Sequence, residues 1–261
     1  MNYVDKIKNF DLETCLSKIK NIIKKEDVLV LLTVLTFGII NFFFFLNNIV
    51  LSPDGLVYGP LYKSGRWEFE LGRPLLAIID RLRGGLVSPP IIVFFSLIYI
   101  AITIMILRRT FPIKKKLSLF IISILLVLFP TISDMSLFIY CFDSYCLSLL
   151  FSVLGIYFIK NKKYIFSIIT IIISLALYQS FISITITGVL LLFILDLIDD
   201  KESIKSIFLN MFIIFISLLL YFIMIKTTNY FFNLSLADYK GASSFGISTI
   251  INLLRTSVLC I

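Results

Sequence analysis

Residues 28–51 read VLVLLTVLTFGIINFFFFLNNIVL, a run of 24 positions without a charged side chain. About 20 such residues form a helix that crosses a hydrocarbon core roughly 30 Å thick. The whole chain is 59% hydrophobic and only 15% charged, whereas soluble domains carry about 25% charged residues. The sequence therefore predicts an all-α, polytopic membrane protein whose first span covers about residues 28–50.

Further apolar runs predict a bundle of about seven transmembrane helices in total. They cover residues 87–107, 117–133, 143–159, 164–178, 180–197 and 206–225. As a single helix, residues 164–197 would be about 50 Å long, which exceeds the thickness of the bilayer core. The polar break Tyr178-Gln179-Ser180 lies near the middle of this stretch. The break favours a helical hairpin.

Lys and Arg residues are concentrated in alternate connections between the predicted spans. If the N-terminus is cytoplasmic, the inner segments hold 16 of the 24 basic residues, and the two short outer turns hold none. This distribution is the one that the positive-inside rule requires. It attributes the net charge of +8 to membrane topology, so we expect no nucleic-acid partner.

The chain divides into three regions. Residues 1–27 predict a cytoplasmic amphipathic segment on the inner leaflet. Residues 28–226 form the transmembrane domain, with a first outer loop at 51–86. Residues 227–261 give an outer segment and the start of a further apolar run, which is too short to cross the bilayer. We expect a polypeptide truncated at its C-terminus, with an interfacial stretch as the alternative.

The first outer loop is dense in charge and reads LSPDGLVYGPLYKSGRWEFELGRPLLAIIDRLRGG over residues 51–85. Asp54 lies in a turn signal directly after the first span. Pro74 suits the first position of a short interfacial helix, PLLAIIDRL. Arginines on the outer side run against the positive-inside rule and require another reason. They are suited to hold a phosphate with paired hydrogen bonds, or they bind anionic lipid without specificity.

Further polar candidates lie at the other outer connections. Asp134 and Asp143 flank the second outer loop, where either is an ordinary span-end residue or meets Asp54 across the mouth of the bundle. A carboxylate in this place can accept a proton from an attacking hydroxyl. Gln179, next to Tyr178, either binds a sugar or satisfies the backbone of its turn. The chain has no histidine and no CxxC pair, so no metal site and no cofactor are predicted.

Taken together, these elements resemble the bacterial GtrII-type glucosyltransferase family, within the GT-C class of polytopic transferases. The similar elements are Asp54, Gly65-Arg66-Trp67, Gly72-Arg73-Pro74-Leu75, Phe142-Asp143 and LALYQSFI at 175–182. The resemblance implies a GT-C-like fold and a membrane glycosyltransferase that takes a sugar from a polyprenyl-phosphate carrier. It further implies glucose on undecaprenyl phosphate as the donor and a hydroxyl of a cell-surface glycan, such as O-antigen, as the acceptor. The reaction would take place at the extracytoplasmic face of the bacterial inner membrane.

The resemblance also implies roles for individual residues. Asp54 would be the general base of an inverting displacement, with Asp134 and Asp143 as the other candidate acids. The substrate-binding set would consist of Arg66 and Arg73, which hold the departing lipid phosphate, and of Tyr58, Trp67, Tyr178 and Gln179. A flippase or exporter of lipid-linked sugar is the alternative function, although the predicted spans lack the buried charges typical of ion-coupled transporters. A structural protein whose outer loop binds lipid is a third interpretation.

Overall fold

The computed structural model describes residues 24–48, 61–62, 64–198 and 204–237. Within these ranges every regular element is helical, and one isolated antiparallel bridge joins Leu61 to Leu86. The all-α prediction is therefore confirmed for the described part of the chain. Asp54 and Tyr58 lie outside the described residues, as do most of the predicted amphipathic segment and the apolar run at the end of the chain.

Eleven α-helices make up this part of the chain. They are α1 Lys25–Asn41, α2 Phe43–Asn47, α3 Arg66–Glu70, α4 Pro74–Leu82, α5 Pro89–Thr110, α6 Lys116–Val127, α7 Pro130–Met135, α8 Phe142–Lys160, α9 Tyr164–Leu177, α10 Ile182–Ile198 and α11 Ile204–Phe231. Short 3-10 turns at Ile139–Cys141 and Gln179–Phe181 lead into α8 and α10.

Among the residues that the structure describes, five helical segments are long and apolar enough to cross a membrane. They are α5, α6 with α7, α8 with its 3-10 turn, α10 with its 3-10 turn, and α11. Helix α9 is apolar but has only 14 residues, a length of about 21 Å. Helix α1 has 17 residues and ends at a turn at Phe42. The chain is thus a membrane protein with five candidate spans, and the count of seven stays a prediction.

The outward face of α11 explains why this bundle belongs in lipid. Phe208, Phe212, Phe215, Leu219 and Phe222 are all exposed along the helix. Their spacing of three or four residues aligns them in one stripe. Water-soluble proteins rarely expose an apolar surface of this extent, and hydrocarbon chains are the environment that fits it.

Hydroxyl contacts set the direction of α9 against α8. Ser148 donates from its Oγ to the carbonyl of Ser174 at 2.8 Å. Further along α8, Gly155 accepts a hydrogen bond from the hydroxyl of Ser167 at 3.1 Å. Later positions in α8 therefore meet earlier positions in α9, so the two helices are antiparallel.

Helix α10 runs in the opposite direction to α9. The hydroxyls of Ser152 and Thr185 lie 2.8 Å apart, and Ile156 packs directly on Gly188. Positions in α8 and α10 advance together, so these helices are parallel. The chain must then reverse at Tyr178, between α9 and α10. This reversal confirms the predicted helical hairpin.

The connections predicted to be cytoplasmic meet at one end of the bundle. Arg108 at the end of α5 forms an ion pair with Glu26 at the start of α1, 3.3 Å apart. Lys160 at the end of α8 donates to the carbonyl of Thr110. The helices α3 and α4 lie at the other end, where Asp143 begins α8. Which end faces the cytoplasm stays a prediction.

Candidate functional site

The turn between α3 and α4 requires a glycine on two independent grounds. Gly72 has a φ of +76°, a backbone region that residues with a Cβ rarely adopt. A Cβ at this position would also lie only 2.9 Å from Ile225 and 3.1 Å from the hydroxyl of Tyr221. Tyr221 donates to the carbonyl of Gly72 at 2.8 Å. Helix α11 therefore packs closely on this turn and fixes the backbone position of Arg73.

Arg73 is held by the turn that precedes α10. Its guanidinium carbon lies 4.7 Å from the centre of the Tyr178 ring, within the range of a cation–π contact. Its Nε donates to the side-chain oxygen of Gln179 at 3.1 Å. Gln179 in turn donates to the carbonyl of Leu71 at 2.6 Å. The predicted residues Arg73, Tyr178 and Gln179 thus form one cluster, about one hundred residues apart in sequence.

The two terminal nitrogens of Arg73 meet no hydrogen-bond acceptor and no carboxylate among the residues that the structure describes. The residue is half-buried, and its orientation is fixed on both sides. A guanidinium in this state presents two parallel donors, and no carboxylate of the described residues offsets its positive charge. Such a group is suited to a carboxylate or phosphate ligand.

Arg83 is the opposite case. Its side chain is only 12% exposed and lies 3.1 Å from Asp143 and 3.5 Å from Asp80. It also donates to the carbonyl of Tyr140 at 2.7 Å. Asp80 accepts further hydrogen bonds from the backbone N–H and the hydroxyl of Ser64. Two carboxylates therefore neutralise Arg83, and the cluster joins α4 to the start of α8.

A third buried carboxylate, that of Glu68, fixes α3. Glu68 accepts hydrogen bonds from the hydroxyl of Tyr62 and from the backbone N–H of Gly65, the latter at 2.6 Å. Burial and the neighbouring carboxylate of Glu68 raise the pKa of Tyr62 above its ordinary value. The phenol of Tyr62 therefore stays protonated at physiological pH and donates to Glu68. The contact between Tyr62 and Glu68 fixes the start of α3.

Tyrosine rings connect the two arginine sites. The rings of Tyr62 and Tyr140 lie 4.6 Å apart, and the carbonyl of Tyr140 is the one that binds Arg83. The rings of Tyr145 and Tyr178 lie 4.3 Å apart, and Tyr178 is the ring beneath Arg73. Tyr140 lies in the 3-10 turn before α8, and Tyr145 lies five residues later, near the start of α8. Both arginines therefore belong to one polar and aromatic region at this end of the bundle.

The other described residues of the predicted set are exposed. Arg66 is 72% exposed and pairs with Glu70 at 2.7 Å. Trp67 is 44% exposed on the same short helix. Asp134 is exposed on α7. Asp54 lies outside the described residues, so its predicted meeting with Asp134 or Asp143 stays a prediction.

A cavity of about 680 Å³ lies beside the end of α11. Asn229 lines it, is only 6% exposed, and its side-chain oxygen has no hydrogen-bond partner in the described part of the chain. Lys226 and the aromatic Tyr230 and Phe231 also line this cavity. The segment after α11 returns to α3, because the N–H of Ala237 donates to the carbonyl of Glu70 at 3.0 Å.

Sequence reasoning did not identify Arg83, Asp80, Glu68 or Tyr221 as site residues. For Asp80 and Arg83 a signal existed, because a spacing of three residues on a helix allows an ion pair. In the predicted interfacial helix PLLAIIDRL a charged side chain is expected to face water, but the structure buries Asp80 against Ser64 and Arg83. No local signal marks Tyr221, whose partner lies 149 residues away.

The chain matches the model of the Glucosyl transferase GtrII family over residues 36–261, and it therefore belongs to this family. No curated protein and no solved structure is significantly similar to it. The match confirms the family resemblance that the sequence carries around Arg66, Arg73 and Asp143. Together with the apolar helices, it identifies the chain as a member of a family of membrane-bound glycosyltransferases.

Proposed function

We propose that this GtrII family member transfers glucose from a polyprenyl-phosphate carrier, such as undecaprenyl phosphate, to a hydroxyl of a cell-surface glycan. O-antigen or another surface polysaccharide is the acceptor, and the reaction takes place at the extracytoplasmic face of the bacterial inner membrane. The observation that carries the proposal is the state of Arg73. Its guanidinium is held by Tyr178 and Gln179, and its two terminal nitrogens have no acceptor in the described residues.

The donor's phosphate is the group that needs this arginine. When the bond between the anomeric carbon and the phosphate oxygen breaks, the electron pair stays on the phosphate, and its charge changes from about −1 to −2. A fixed, half-buried guanidinium stabilises this added charge more than bulk water does, because it needs no reorganisation. Arg66 is exposed and paired with Glu70, so it contributes a second, weaker positive charge at the edge of the site.

The acceptor needs a base. In the proposed reaction, the acceptor oxygen forms a bond to the anomeric carbon, its proton passes to Asp54, and polyprenyl phosphate leaves from the opposite face. Leu61, the first described residue after the gap that contains Asp54, pairs with Leu86 beside Arg83. Asp143 already binds Arg83 and the N–H of Ser144, so we assign it a positioning role. Asp134 is the alternative base.

The cavity beside Asn229 supports a place for the acceptor glycan. Asn229 lies eight residues after Tyr221 on α11, a distance of about 12 Å along the helix axis. The unpartnered amide oxygen of Asn229 can accept a bond from a sugar hydroxyl, and the rings of Tyr230 and Phe231 offer apolar faces. Trp67 and Tyr58 are the proposed further contacts to the sugars.

Two assays separate this function from the flippase alternative. The protein is purified in detergent and incubated with polyprenyl-phosphate glucose carrying radioactive glucose, together with polysaccharide from the surface of the source bacterium. We expect the label to move into the polysaccharide and free polyprenyl phosphate to accumulate. In parallel, the protein is reconstituted into vesicles and movement of the donor between leaflets is measured. Movement between leaflets without transfer in the first assay would contradict the proposal.

The substitution Asp54→Asn tests the chemistry directly. It keeps the size of the side chain but removes its basicity, and a positioned base contributes a factor of about 10² to 10⁴ in rate. We expect transfer to fall by that factor while binding of the donor lipid is retained. Asp134→Asn is the matched control and should leave the rate near that of the wild type. The reverse pattern would assign the base to Asp134.

A further inference from the structure

The opposite end of the bundle contains a cleft that the proposed reaction does not use. It has a volume of about 570 Å³ and lies where α1, α5, α6 and α8 meet. Seven of its lining residues are Lys or Arg, and Glu26 is the one acid among them. Such an excess of positive charge around one cavity raises the local concentration of anions.

Part of this charge is neutralised within the bundle. Arg108 pairs with Glu26, and Arg109 pairs with Asp27, each at 3.3 Å. These pairs fix the end of α5 against the start of α1. Lys160 is directed to the carbonyl of Thr110, so it gives the cleft a positive charge without a carboxylate.

Three successive lysines remain without such partners. Lys114, Lys115 and Lys116 line the cleft and are exposed, and no carboxylate in the described part of the chain forms an ion pair with them. Lys116 is also the first residue of α6. The free N–H groups in the first turn of a helix favour an anion at this place. The three lysines and the N-terminus of α6 therefore favour an anion in the same part of the cleft.

The inner wall of the cleft is apolar. Phe111, Ile113 and Leu119 line it together with the basic residues, and Leu119 is fully buried against the bundle. A free inorganic anion would gain nothing from this wall. An amphiphile that carries a phosphate at its head and hydrocarbon below it would use both parts.

We propose that this cleft binds the phosphate headgroup of an anionic phospholipid, with its acyl chains along the apolar wall. The positive-inside rule accounts for basic residues at this end of the bundle. It does not account for their convergence on one cavity between four helices. Basic pockets between membrane helices are sites at which such headgroups bind. The inference does not depend on the proposed glucosyl transfer, because the cleft lies at the other end of the bundle.

The test compares two triple variants that remove equal charge. In the first, Lys114, Lys115 and Lys116 are changed to Gln. In the control, Lys162, Lys163 and Lys205 are changed to Gln, since these belong to the basic connections predicted for the same side but do not line the cleft. Binding of phosphatidylglycerol to the full chain in detergent is measured by native mass spectrometry. Phosphatidylcholine and inorganic phosphate serve as the other two probes.

We expect the cleft variant to lose about 100-fold in affinity for phosphatidylglycerol, from three lysines that each contribute about a factor of five. The control variant should stay within a few-fold of the wild type, and phosphatidylcholine should bind weakly to all three proteins. Equal losses in both variants would show a diffuse surface effect and overturn the proposal. Binding of inorganic phosphate as tight as that of phosphatidylglycerol would overturn the assignment to a lipid.

Discussion

Arg73 and Arg83 lie at the same end of the bundle, ten residues apart in sequence, but differ in burial and in their partners. Arg83 is almost fully buried and contacts two carboxylates and a carbonyl. Arg73 is half-buried, lies on the ring of Tyr178 and has no carboxylate partner among the described residues. Contacts fix the orientation of both side chains, but only Arg83 has its charge offset by carboxylates of the described residues.

The charge of Arg83 is paired and stabilises the fold, whereas the charge of Arg73 is free to bind an anionic ligand. Burying a charge is unfavourable unless the charge is paired, and Asp80 and Asp143 are the partners of Arg83. Arg73 is held by groups that orient it without neutralising it, namely an aromatic ring and an amide oxygen. A protein that only needed a stable turn would gain from a carboxylate at this place. Its absence from the described surroundings is what we expect of a site that receives an anionic substrate.

The largest effect on stability should come from Arg83→Met. The substitution keeps the unbranched apolar stem of the side chain but removes the guanidinium, which leaves Asp80 and Asp143 buried without their partner. Removing one member of a buried ion pair costs about 3–5 kcal/mol. Thermal unfolding in detergent should show this loss, and Arg81→Met, an exposed position on the same helix, is the control. Equal unfolding temperatures for the two variants would remove the distinction between the two sites.

An intermediate effect is expected for Gly72→Ala. The positive φ of Gly72 costs a residue with a Cβ about 1–2 kcal/mol, and the new methyl group would press on Ile225. We expect a moderate loss of stability together with weaker donor binding, because the turn places Arg73. Gly84→Ala is a useful comparison, since Gly84 also has a positive φ but no atom of the described residues lies within 4 Å of its Cβ position. Donor binding that weakens equally in both variants would contradict the conclusion that the turn at Gly72 positions Arg73.

The smallest effect should come from Arg66→Ala. This arginine is 72% exposed and pairs with Glu70 one helical turn away, an arrangement that contributes about 0.3–0.5 kcal/mol. Stability should change by no more than this amount, and donor affinity should fall by a few-fold at most. A loss of donor binding as large as that of an Arg73 variant would move the phosphate site toward α3.

The helices were largely predictable because the bilayer imposes a simple rule on composition. The apolar runs 87–107 and 206–225 correspond to Pro89–Thr110 and Ile204–Phe231. Helix α5 extends past the C-terminal end of its run and α11 past both ends of its run, since hydropathy marks only the part in hydrocarbon, while hydrogen bonding continues into polar residues. The break at Tyr178 was visible because no single helix of that length fits the membrane.

The candidate site was predictable only in part. Arg73 could be selected because an arginine on the outer side contradicts the positive-inside rule, and Gln179 because it breaks an apolar run. Asp143, the second carboxylate partner of Arg83, could not, because it lies 60 residues away and meets Arg83 only where the end of α4 reaches the start of α8. The same holds for Tyr221, whose contact with Gly72 depends on where α11 lies in the bundle.

In the proposed reaction, Arg73 binds the phosphate of the donor. The most direct test of this role is the affinity of Arg73→Lys for polyprenyl-phosphate glucose, measured in detergent beside Arg81→Lys. A lysine keeps the charge but cannot provide two parallel hydrogen bonds, and a hydrogen bond to a charged group contributes about 1.5–3 kcal/mol. We expect affinity to fall by about 10- to 100-fold in Arg73→Lys, with an unchanged unfolding temperature, and not at all in Arg81→Lys. Donor binding of Arg73→Lys equal to that of the wild type would contradict the account.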